Sequence, residues 1–204
     1  GMRGETEVAA KYNALARDMV PKWIEAAKGG REGSYRLAYD QPDSWSMKYN
    51  LVWDRTLGFN LFPPEVAEAE MKAYRALIQP YGLPLDSRKT WTKTDWEIWS
   101  ATLRNRKEDV AFISAAICRF LDKTPDRIPF SDWYWADSGK FRGFIARSVI
   151  GGVFIPAPYD PEIWTTYSAR DTSPTRPYSP LTEPSPPHPQ SGVPPGSAQA
   201  NLTR

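Results

Sequence analysis

Proline placement is the strongest constraint on this chain. Of its 20 prolines, eight fall in residues 1–155 and twelve in 156–204. A proline inside a helix removes a hydrogen bond and clashes with the preceding turn, and in a central strand it removes a ladder bond. Continuous secondary structure is therefore expected in the first part only. From about Ser168 the chain is Ser, Thr, Pro and Gly with few large apolar side chains. Such a stretch buries too little surface to offset its ordering entropy. We expect a helical body over 1–155 and a Pro/Ser/Thr-rich tail or linker over 156–204, irregular from about residue 168. Asn201-Leu202-Thr203 matches a glycosylation acceptor, a short pattern that recurs by chance. Gly1 ahead of Met2 reads as a residue left by tag removal, and the chain as a piece of a longer protein.

Helical periodicity fills the body. Val8, Leu15, Met19, Trp23 and Ala26 recur at helical spacing from about Glu5 to Ala27, and Gly29-Gly30 ends that helix. Asp43 or Ser44 is placed to cap a second helix, reaching about Leu57. Pro63-Pro64 opens a third, to about Ile78, closed by Pro80 and Gly82. Thr94 caps a fourth, with Asp95 and Glu97 in its first turn. A fifth covers about Glu108 to Leu121, with Val110, Ile113, Ile117, Phe120 and Leu121 on one face. The apolar stretch from Phe141 to Ile155 fits helix or strand. No long run alternates, so the fold is expected to be mainly α, built of antiparallel helical hairpins. The loops at about 30–43, 80–93 and 123–140 are long for a compact domain, and long loops are often functional.

Several classes of chemistry are excluded by what the sequence lacks. Its one histidine, His188, lies in the Pro-rich region, which removes Ser-His-Asp and Cys-His arrangements and histidine-built zinc sites. There is no glycine-rich phosphate loop and no Ser-x-x-Lys. No cofactor or metal is expected on these grounds, although an oxygen-ligand ion needs no recognisable spacing. The formal charge of +2 gives no case for nucleic acid or an anionic membrane. No run of about 18 apolar residues would span a bilayer. Cys118, the only cysteine, lies on the apolar fifth helix and is expected to be a buried thiol. Catalysis would rest on carboxylates assisted by Lys, Arg, Tyr or Ser.

Carboxylates do cluster with aromatics. Trp45, Tyr49 and Trp53 fall at steps of four near Lys48 and Asp54, either as an aromatic wall beside an acid or as a core stripe. Asp86 is followed by Arg88 and Lys93, which suit an anion or an amino acid carboxylate; equally, Asp86 can make an Asx-turn. Asp95 precedes Trp96 at a helix start, where it can complement the helix dipole. Asp132 lies between Ser131 and Trp133-Tyr134 on a loop and suits a ligand site or a turn.

Five segments follow one another in order: 46–54 (SMKYNLVWD), 81–88 (YGLPLDSR), 92–97 (TKTDWE), 124–134 (TPDRIPFSDWY) and 146–154 (ARSVIGGVF). Over about residues 8–155 they resemble the C-terminal domain of the glutaminase A family of fungi and bacteria. The resemblance implies a helical part like the (α/α)6 toroids of six-hairpin glycosidases, of which six helices make about half. It implies secretion to an extracellular or periplasmic space, and hydrolysis of L-glutamine to L-glutamate and ammonia by a longer polypeptide, the piece alone being inactive. Asp54, Asp86, Asp95 and Asp132 match the family's motifs and become the catalytic candidates, with Asp86 or Asp54 as base. Lys48, Tyr49, Arg88, Lys93, Trp96 and Trp133 are the substrate-binding candidates. Arg88 or Lys93 would hold the substrate carboxylate, and Tyr49, Trp96 and Trp133 would wall the pocket. The partners implied are L-glutamine and the remainder of the parent polypeptide. Paired carboxylates among tryptophans also suit a glycan, bound or hydrolysed, and a non-catalytic scaffold is the third reading.

Overall fold

A computed structural model of the chain describes residues 4–170. His188, the 201–203 acceptor and the tail beyond residue 170 lie outside the described residues.

Helix α1 runs Thr6–Ala27 and accommodates Pro21 in its interior. Only Val20 and Ala27 of it are buried, so the first half of its expected core stripe faces water. The helix ends at Lys28, and Gly29 follows with φ of +84°, where the Arg36 guanidinium lies within 3.0 Å of any added Cβ.

The second helix is shorter than its spacing predicts. Asp43 takes a left-handed φ of 64°, and residues 45–47 are drawn across to 85–87 instead. The Met47 amide donates to the Leu85 carbonyl at 2.8 Å, and the Ser87 amide to the Trp45 carbonyl at 2.9 Å. Only a 3₁₀ turn, Tyr49–Leu51, and α2, Val52–Thr56, are helical. Trp45 is consequently a core residue while Trp53 is exposed, and the three aromatics do not share a face.

Helix α3 (Pro64–Leu77) begins after the extended Pro63, as the paired prolines predict, and buries Val66, Glu70, Met71, Ala73 and Tyr74. Strand β1 (Trp91–Lys93) leads without a break into α4 (Thr94–Ala101). Helix α5 (Lys107–Lys123) buries Asp109, Ile113, Ala116, Ile117 and Phe120. Cys118 points away from that stripe and is exposed, contrary to expectation, because its turn of α5 seats Ile117 and Phe120 inward. Trp45, Met47, Met71, Tyr74, Leu83, Ile98 and Ile113 form the centre of the core.

The stretch 141–155 divides into strand and turn. Strand β2 (Trp133–Trp135) pairs antiparallel with β1, and β3 (Phe141–Gly143) with β2. Three residues per strand are too few for alternation to show. A 3₁₀ segment, Ser148–Phe154, then packs across α4. Part of the region read as tail is also ordered: α6 (Pro161–Ser168) is capped by Asp160, whose carboxylate accepts from the Glu162 and Ile163 amides.

Glu97 of α4 and Tyr134 of β2 meet in the interior. Tyr134 is fully buried, and its hydroxyl lies 2.7 Å from Glu97 Oε2 and 3.0 Å from the Tyr81 carbonyl. The Leu83 amide donates to Glu97 Oε1 at 2.6 Å. The Tyr134 ring stacks on Phe120 of α5, centroids 3.6 Å apart. Gly82 closes this node: an added Cβ would lie 2.5 Å from Glu97 Oε1 and 2.7 Å from the Tyr134 hydroxyl. Gly82→Ala is therefore expected to lower stability by about 2 kcal/mol. A urea midpoint that falls would bear this out, and an unchanged one would show that the node yields.

Candidate functional site

The β1–α4 junction sets the geometry. Lys93 is extended and Thr94 begins the helix, so Lys93, Asp95 and Trp96 are presented within one turn. The loop entering β2 lies against that turn, its Asp132 carbonyl accepting from the Thr94 amide at 3.0 Å. This delivers Asp132 and Trp133 to Lys93.

Asp132 is fully buried and held by two cations. Arg147 clamps it with two hydrogen bonds, Nε to Oδ1 at 3.0 Å and the terminal nitrogen to Oδ2, and Lys93 Nζ donates to Oδ2 at 3.3 Å. Burial pulls the carboxyl pKa up, but Arg147 and Lys93 together outweigh it and the net shift is downward. The Lys93 ammonium lies 5.4 Å from the Trp96 ring centre, 5.0 Å from Trp133 and 5.2 Å from Phe144, a three-ring surround suited to a cation.

Asp95 has the opposite environment. It is 5% exposed, and its Oδ1 has no hydrogen-bond partner among the described residues. Desolvation raises its pKa, its own amide and that of Trp96 lower it, and the Asp132 charge raises it further; the net shift is upward. Gly152 forms the lid of this site. Its added Cβ would lie 2.9 Å from Asp95 Cβ and 3.0 Å from Trp99 Nε1, and Trp99 donates to the Gly152 carbonyl at 3.0 Å. Two neighbouring carboxyls, one pushed up and one pushed down, are the arrangement that separates an acid from a permanent carboxylate.

Tyr49 joins this site to a cleft of about 320 Å³ lined by Trp23, Lys48, Tyr49, Asp86 and Arg88. Its ring stacks flat on Trp96 at 4.1 Å. Burial raises the phenol pKa, and the charges of Asp86 and Asp95 add to that. Asp86 makes the Asx-turn and the ion pair at once: Oδ1 accepts from the Arg88 amide and Nε at 2.9 Å each, and Oδ2 from its terminal nitrogen at 2.6 Å. Arg88 is otherwise open to solvent.

Lys48 and Asp54 are engaged chiefly by nearby backbone groups. Lys48 Nζ donates to the Tyr35 and Ser46 carbonyls and to Ser46 Oγ, with Glu70 at 3.8 Å, which occupies its three donors. Asp54 accepts from the Leu61 and Phe62 amides and fixes the loop after α2. The structure thus brings together Lys93, Asp95, Trp96, Asp132 and Trp133, with Tyr49, Asp86 and Arg88 adjoining. Arg147, Phe144 and Gly152 were not singled out in advance. Arg147 and Gly152 do lie in the last of the five ordered segments, but their spacing carries no signal of a site.

Among the described residues, no group of three or more His, Cys, Asp or Glu could hold a metal ion, and no helix is long and apolar enough to cross a membrane.

The model of the family described as the glutaminase A six helical-hairpin domain matches residues 1–157. The chain belongs to the glutaminase A family. It is 31% identical to glutaminase A of Aspergillus oryzae over 156 residues, which is 74% of this chain and 22% of the relative. It is 29% identical to a probable glutaminase of Arthroderma benhamiae, over 74% of this chain and 21% of that protein. The chain therefore spans about a fifth of the length of these curated relatives. No solved structure matches it. The hairpin description agrees with the mainly α fold, to which the small sheet is an addition.

The site rests on Glu97, whose carboxyl burial pushes up from 4.5 to about 8. Hydrogen-bond counting agrees. Tyr134 has one proton but two oxygens around it, and a neutral Glu97 supplies the second proton. Between pH 4.5 and about 8 the folded protein holds a proton that the unfolded chain has released, so stability falls as pH rises across that window. Glu97→Gln keeps the donors and acceptors and removes the titration. Wild-type and variant melting temperatures should therefore diverge in the variant's favour from about pH 5 to about pH 9. Parallel curves would show that Glu97 does not carry the proton.

Proposed function

We propose that this chain supplies part of the active site of an exported, glutaminase-like amidohydrolase that converts L-glutamine and water to L-glutamate and ammonia. The observation that carries the reading is the unpartnered, buried Asp95 oxygen beside an Asp132 kept ionised by Arg147 and Lys93. Water adds to the side-chain amide carbon, the C–N bond breaks, and nitrogen leaves with a proton. Asp95 is the group that takes the proton from water and passes it to the leaving nitrogen, a role that suits a raised pKa. Asp86 is less available to a water than the sequence suggests, because Arg88 holds both its oxygens. The outer face of Arg88 receives the substrate carboxylate, and Tyr49, Trp96 and Trp133 exclude water from one side. The name of the Aspergillus oryzae relative and the family description support the substrate. Action outside the cytoplasm, in extracellular or periplasmic space, is part of the same reading.

A second reading, a glycan site, has one observation in its favour. Trp91, Trp133 and Trp135 meet on the sheet, with Arg142 over all three rings.

Ammonia release from L-glutamine separates the readings, measured on the longer parent and on this chain side by side. The parent is expected to release ammonia and the chain alone to release none. Asp95→Asn in the parent should lower kcat at least about a hundredfold with KM little changed. Full turnover by that variant would remove Asp95 from the chemistry. No ammonia, with cleavage of glycosides instead, would favour the second reading, and neither activity would leave a scaffold.

A further inference from the structure

Helix α1 bears an apolar stripe that no described residue covers. Val8, Tyr12, Leu15 and Met19 follow one another at steps of four, three and four, which places them on one side of the helix. They are 48%, 61%, 48% and 57% exposed. The helix is anchored near its C-terminal end, where Val20 and Ala27 are buried, Trp23 stacks on Tyr35 at 5.0 Å and Phe62 meets the indole edge-on at 5.3 Å. There the stripe runs into an apolar depression of about 480 Å³ lined by Met19, Trp23, Ala26, Tyr39, Leu61 and Phe62. A helix draws most of its stability from packing an apolar face, and contiguous bare apolar surface of this kind marks an interface.

Three facts bear on what covers it. The family is one of helical hairpins, yet none of the described helices lies along α1. About four-fifths of the length of the related proteins lies outside the region this chain matches. The spacing alternates four and three, the seam that accepts the knobs of another helix, and from Val8 to Met19 it is about 16 Å long at 1.5 Å per residue. We propose that Val8, Tyr12, Leu15 and Met19 dock an amphipathic helix supplied by the part of the parent polypeptide outside this chain, completing a hairpin with α1. The assignment does not depend on which substrate the parent takes.

The test compares the 204-residue chain with the full-length parent. Amides of residues 6–19 should exchange with deuterium at least about tenfold more slowly in the parent than in the chain. The paired substitution Y12E/L15E should leave the chain's melting temperature unchanged, since both side chains already face water and neither lines the depression. In the parent it should lower the melting temperature by at least about 3 °C and abolish the slowed exchange. Equal exchange of α1 in the two proteins would overturn the proposal, whatever the variant does. So would a parent that tolerates both glutamates. A chain that sediments as a dimer split by Y12E/L15E would overturn it in another way, by making the occupant a second copy.

Discussion

The hydrogen bond between Glu97 and Tyr134 joins the two elements that carry the paired carboxyls of the site. Glu97 belongs to α4, whose first turn presents Asp95 and Trp96. Tyr134 belongs to β2, whose entrance presents Asp132 and Trp133. The Leu83 amide and the Tyr81 carbonyl tie in the loop that bears Asp86 and Arg88, and the Phe120 stack ties in α5. No chain of apolar contacts alone would fix these parts to within hydrogen-bond distance. The condition is a neutral carboxyl, because one phenolic proton cannot serve two acceptors.

Four buried carboxyls illustrate how little burial alone decides. Asp132 and Asp109 are fully buried yet shifted downward, because arginines reach both. Asp109 accepts from Arg75 and twice from Arg104 at 2.7–2.8 Å, and these bonds overcome the upward pull of its burial. Asp95 and Glu97 lack a hydrogen-bonded cation, and desolvation prevails. Asp95 and Asp132 are close enough to feel one another's charge, so two protonation behaviours coexist within one small volume.

Much of this was legible in the sequence, for reasons that particular residues make plain. Pro63-Pro64 fixes the start of α3 through backbone geometry that tertiary contacts cannot change. The α5 stripe of Ile113, Ile117 and Phe120 is a long periodic signal. The helix expected over 43–57 failed because Trp45, Tyr49 and Trp53 mimic helical spacing while Trp45 and Met47 bond across to Ser87 and Leu85. That pairing is long-range and invisible in a local window. The sheet escaped notice because its strands are three residues each. Lys93, Asp95, Trp96, Asp132 and Trp133 were chosen by residue type and resemblance, and the fold gathers them. Lys48 and Asp54 matched equally well as types, but local backbone groups occupy them. Arg147 was passed over because a lone arginine on an irregular segment carries no pattern of its own.

The small sheet also bears on how the chain acquires its shape. Lys93 and Asp132 are 39 positions apart, and all of α4 and α5 lies between the strands that unite them. Their meeting requires closing a loop of that length around two formed helices. Local helices assemble quickly, and distant pairings follow late. The cationic surround of Asp132 should therefore be among the last features to appear, and a nascent chain that has emerged only as far as α5 has no site at all.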